Sequence, residues 1–177
     1  MNEQDFARET VRNLLQSAIL DWGLDGLPTH DSTSTGDLIK AILDTQGLWK
    51  APAALDEYWR LAGSPSSGLW QEFSRCGGFS IQRALSARML AIETALHNGF
   101  DWKNFRYAAP ILVFDSMPGG EALWVECDSD AVEMDEDPPV WLLTEELNKE
   151  PQLLAESFTS YLKKAIDRES TIRNPLG

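Results

Sequence analysis

Seven of the twelve residues from Glu126 to Asp137 are Asp or Glu, and none of the twelve is Lys or Arg. Carboxylates at that density suit a hard cation, a basic partner or a solvated connection. The calcium option fails on spacing. Counted from Asp128, "DSDAVEMDEDPP" has acids at loop positions 1 and 3. It then has Val132 at 5, Glu133 where an EF-hand loop needs Gly and Pro139 where it needs the bidentate Glu. Zinc has no better claim, because His30, His97, Cys76 and Cys127 are scattered without paired spacing. The expectation is no metal and no cofactor.

One nucleophile is conceivable. Cys76 precedes Gly77 and Gly78, whose backbone N–H groups could serve as an oxyanion hole, with His97 as a base. A Gly pair is more often a bend, and the chain contains no GxSxG, Walker loop, GxGxxG or HExxH. Glu145 and Glu146 are too generic to argue for glycosidase chemistry. A thiol enzyme using Cys76 is therefore the weakest alternative.

Charge points toward a partner. The net charge is −13, and residues 111 to 177 carry 15 acids against 5 bases, whereas residues 1 to 110 carry 13 against 10. Phosphate binding needs Lys and Arg to replace counterions, so this balance argues against nucleic acid and against an anionic membrane surface. No apolar run approaches the roughly 20 residues of a membrane helix, and "MNEQDFARET" lacks the basic and apolar regions of a signal peptide. A cytoplasmic location is expected, with both cysteines kept as buried thiols. With 43% apolar residues and seven Trp in 177 residues, a single domain has ample material for a core.

The elements that would position these groups follow from periodicity. Val11, Leu14, Leu15 and Ala18 share a helix face that "GLDGLP" closes. Leu38, Ile39, Ile42 and Leu43 mark a second helix ending near Gly47. A third helix has Pro52 in its first turn and Leu55, Tyr58, Trp59 and Ala62 as an aromatic stripe. The longest helix is expected from Ile81 to His97. The period then changes: "ILVFD", "ALWVECD" and "PVWLLTEEL" read as strands of an antiparallel meander. A last helix carries Leu154, Phe158, Tyr161, Leu162 and Ala165, starting either after Pro151 or at Ser157 as N-cap. The fold class expected is α+β: a helical N-terminal half, an antiparallel sheet of three or more strands in the C-terminal half and a final helix packed on it. Trp59 and Trp141 read as core anchors. Trp124 could face either a second covering layer or a partner.

The succession "PILVFDSMPGGEALWVECD", an acidic connection, "PPVWLLTEEL" and "AESFTSYLKKAI" resembles the SUKH superfamily of bacterial toxin-immunity proteins and fungal cell-wall-synthesis regulators. The matching positions are Gly119, Gly120, Trp124, Asp128, Pro139, Val140, Ser157, Phe158, Tyr161 and Leu162, and "PAALDEYWRLAG" is similar to the family's early helix. The resemblance covers residues 52–166 and leaves 1–50 as a helical N-terminal extension of one domain, 1–177. It implies a protein without catalytic activity, an immunity protein that binds and neutralises a cognate toxin of a polymorphic or contact-dependent system. The alternative it allows is a regulatory scaffold or adaptor that binds a host protein. A toxin acting on nucleic acid needs a basic cleft, which an acidic inhibitor surface would match and find quickly. The expected contact surface is Asp128, Asp130, Glu133, Asp135, Glu136 and Asp137, with Trp124. The competing reading is a solvated connection whose charge keeps the sheet edge from pairing.

Overall fold

In the computed structural model the residues described are 1–26, 33–62, 69, 71–72, 111–116, 122–127, 134–143 and 152–167. The expected helix from Ile81 to His97 lies outside them, as do Cys76 and both histidines.

The first two helices form where periodicity places them. Helix α1 (Glu3–Trp22) is capped by the Asn2 side chain, which accepts the Asp5 N–H, and buries Ala7, Val11, Leu15, Ala18 and Ile19. Gly23 ends it in the left-handed region at φ 66°, while the Leu24 N–H reaches back to the Ile19 carbonyl. Helix α2 (Thr33–Gln46) ends in the same manner: Gly47 has φ 72°, and the Leu48 N–H donates to the Leu43 carbonyl. A side chain would strain both glycines.

Helix α3 (Ala53–Ala62) departs from the amphipathic expectation. Its stripe of Leu55, Tyr58, Trp59 and Ala62 is buried, but so are Ala53, Ala54, Asp56 and Glu57. The two acids are matched from α1: Arg8 pairs with Asp56 and Arg12 with Glu57, while Arg60 one turn on also holds Asp56. The acids are buried while the arginines reach solvent, so the pairs form a half-buried seam between two helices.

The sheet is a four-stranded antiparallel meander in the order β1 (Ile111–Ser116), β2 (Ala122–Glu126), β3 (Val140–Leu143), β4 (Gln152–Ala155). Leu123 lies opposite Leu142 and Val125 opposite Val140, and these four join the helical residues in one hydrophobic cluster. Trp124 pairs with Trp141 on the other face, their rings stacked at 5.8 Å. Strand β4 corrects the reading of the last helix: Gln152–Ala155 is extended, so Leu154 belongs to the sheet. Helix α4 (Phe158–Ile166) begins only after Ser157, whose side chain accepts the Ser160 N–H. The α+β class is as expected. The N-terminal helices, read as an extension, are part of the core: Val11, Leu15 and Ile42 lie in the same cluster as Val125 and Phe158.

Phe158 ties the layers together. It is fully buried on α4, its ring meets Tyr58 of α3 edge to face at 5.9 Å, and Tyr161 flanks it. Phe158→Ala should destabilise the fold by about 3–5 kcal/mol, read as a fall in the urea midpoint. Phe6→Ala, at a side chain 60% exposed on α1, should change stability by no more than about 0.5 kcal/mol.

Candidate functional site

The acidic segment before β3 is where sequence analysis placed a contact surface, and the structure divides its residues. Asp135 is exposed, its Oδ1 accepting the Asp137 N–H in a local turn. Glu136 is only 5% exposed. Asp137 is half-buried. Asp128, Asp130 and Glu133 lie outside the described residues.

Glu136 is turned into the molecule against the start of α3. That helix has no capping side chain of its own: "KAPAA" offers no Ser, Thr, Asp or Asn where one would cap, so its first N–H groups need partners from elsewhere. Glu136 provides two. Its Oε2 accepts the Ala53 N–H at 2.9 Å and its backbone carbonyl accepts the Ala54 N–H at 3.0 Å. Oε1 accepts from Lys50 Nζ and, at 2.7 Å, from Gln4 Nε2 of α1. Burial by itself would push the carboxyl up. The hydrogen bonds from Lys50, Gln4 and Ala53, with the Lys50 charge, outweigh it and hold Glu136 below its ordinary value.

Asp137 performs the corresponding task for α4. Oδ1 accepts the Thr159 N–H at 2.8 Å and Oδ2 accepts the Thr159 hydroxyl. A carboxylate at a helix N-terminus also meets the positive end of the helix dipole. Both oxygens of Asp137 thus have partners within the chain, and both acids stabilise helix starts.

Trp124 leaves the contact surface as well. It has no exposed area, and on the face of β2 opposite Leu123 and Val125 its ring stacks on that of Trp141. Trp59 is fully buried, as a core anchor should be, while Trp141 is only half-buried. Cys127 is a buried thiol at the end of β2, and its Sγ donates to the Lys50 carbonyl at 3.2 Å. Among the described residues no group of three His, Cys, Asp or Glu is placed to hold a metal, and no helix is long and apolar enough to cross a membrane. Of the expected contact residues within the described set, Asp135 alone presents its carboxylate outward.

Sequence reasoning missed Lys50, Gln4 and the Ala53 and Ala54 amides as the partners of Glu136. One signal was present: a helix start without a cap implies a distant acceptor. Nothing in the sequence named residue 136 as that acceptor.

Comparison of the chain with family models, with curated proteins and with solved structures finds no match.

Glu136→Gln keeps the shape but removes the charge, and should cost about 2 kcal/mol near neutral pH. Asp135→Asn should stay within about 0.5 kcal/mol. Because the folded Glu136 carboxyl lies below its ordinary 4.5, its contribution is complete above that value and disappears as pH falls through the folded one. Urea midpoints of the wild type and Glu136→Gln should therefore differ most near neutrality and converge in acid.

Proposed function

We propose that this chain is an immunity protein that captures a cognate, basic protein toxin through an acidic surface. The observation that supports this reading best is the distribution of charge. Residues 111–177 hold 15 acids against 5 bases, in the strand-bearing segment that resembles the SUKH superfamily. An α+β scaffold with a meander sheet and a closing helix agrees with what that resemblance implies.

The contact surface proposed is narrower than the whole acidic segment. Asp135 is retained with Asp128, Asp130 and Glu133, while Glu136, Asp137 and Trp124 are assigned to the fold. Acids at a protein surface act on encounter more than on final affinity, because their field attracts a basic partner before contact, by about 10- to 1,000-fold in rate at low salt. A cytoplasmic inhibitor of a toxin that damages its host benefits from speed.

The test is co-expression with the product of the adjacent reading frame. Cells should survive the toxin only when this chain is present, and the two products should co-purify; failure of both rejects the reading for that partner. Reversing Asp128, Asp130, Glu133 and Asp135 to Lys should slow association about tenfold or more at low salt and flatten its salt dependence, with the thermal midpoint retained. On-rates that do not change would remove this loop from the interface.

A further inference from the structure

A cleft of about 430 Å³ opens between α1, α2, the 47–52 connection and α3. Its chemistry is the reverse of the protein's. The chain has 28 acids and 15 bases, yet the cleft is lined by four bases, Arg8, Lys40, Lys50 and Arg60, against two acids, Asp44 and Asp56. Glu136 behind Lys50 neutralises part of that excess. Asp56 holds both Arg8 and Arg60. Lys40, exposed on α2, makes no ion pair among the described residues. Arg8 uses Nη2 on Asp56, while its Nε is buried and has no hydrogen-bond partner in the structure.

The rest of the lining is apolar. Ile39, Leu43 and Leu48 belong to the core and form part of the cleft wall. Trp49 lies in the same lining yet leaves 69% of its surface in solvent. An exposed Trp beside cations is the composition of a protein-binding hot spot.

We propose that this cleft binds an acidic peptide segment of a partner protein, one carboxylate flanked by large apolar side chains. The carboxylate meets Lys40 and the Arg8–Arg60 pair held by Asp56, and a neighbouring side chain covers Trp49. The Lys40 ammonium beside an apolar wall suits one carboxylate. A polyphosphate or nucleic acid would need several unmatched cations and would meet the repulsion of a net charge of −13. The exposed part of Trp49 offers a contact surface broader than a small anion would use. This site is independent of the acidic loop and of the toxin reading, and either can fail without the other.

The test uses a fluorescein-labelled pentapeptide set, capped at both ends, with central Asp flanked by Leu, Phe or Trp. Polarisation titrations of the whole chain at low salt are compared with the same set carrying Asn. The Asp peptides should bind saturably, with the Asn set weaker by about tenfold, the equivalent of 1.4 kcal/mol. Lys40→Glu and Trp49→Ala, both at exposed side chains, should each weaken binding by about fivefold or more with an unchanged thermal midpoint. Amide shifts in NMR spectra should move at Ile39, Lys40 and Trp49. Absence of binding, equal binding of Asp and Asn peptides, or shifts confined to other regions would overturn the proposal. So would displacement by inorganic phosphate where sodium chloride of equal ionic strength has no effect, since that would mark a simple anion site.

Discussion

The arrangement of the described elements depends on one buried carboxylate. Glu136 gathers the Lys50 ammonium, the Gln4 amide of α1 and the first N–H of α3 around its two oxygens, and its carbonyl takes the second N–H. A carboxylate is costly to bury unless each oxygen has donors. Here the donors come from α1, from the connection after α2 and from α3, so satisfying the charge fixes three elements relative to the segment entering β3. The next residue extends the constraint to α4 through Thr159. Two adjacent side chains thus set the starts of two helices, and the Cys127 thiol on the Lys50 carbonyl adds a link from β2 to the same connection.

Helix α3 is central because it is buried nearly all round. Such a helix cannot be oriented by an apolar stripe alone, since several rotations would bury similar area. Asp56 and Glu57, each paired with an arginine of α1, distinguish among those rotations: a turned helix would leave a charge buried and alone. Ion pairs in which the acid is buried and the arginine reaches solvent contribute less to net stability than to the choice among alternatives, and here they match α1 to α3. The same pairing places Arg8 and Arg60 along a cleft wall, so a device for orientation also concentrates positive charge in an acidic protein.

That partition bears on function. A charge count treats every acid as surface, but Glu136, Asp56 and Glu57 are each below 9% exposed and held by donors within the chain. Their fields are largely matched within the chain. The electrostatic surface consists of the acids left over, and in the acidic segment that selection is made residue by residue, with Asp135 outward and its two successors inward.

Much of the fold was legible in the sequence. The faces of α1 and α2, their glycine stops, the aromatic stripe of α3, the meander and the buried Phe158 all follow from periods of 3.6 and 2 and from turn chemistry, which are local properties. The segment from Gln152 to Ala155 was ambiguous because Leu154 fits a helical stripe as well as a strand, and pairing with β3 decided it. The roles within "DEDPP" were not legible at all. Composition gives the charge of Asp135, Glu136 and Asp137 equally, whereas direction depends on which donors lie within about 3 Å, and those come from residues 4, 50, 53 and 159. The sequence by itself determined the acidic balance and the described elements other than β4. Only the tertiary structure decided which acids hold the molecule together and which face outward, because a helix N-terminus without its own cap takes its acceptor from whatever the fold brings beside it.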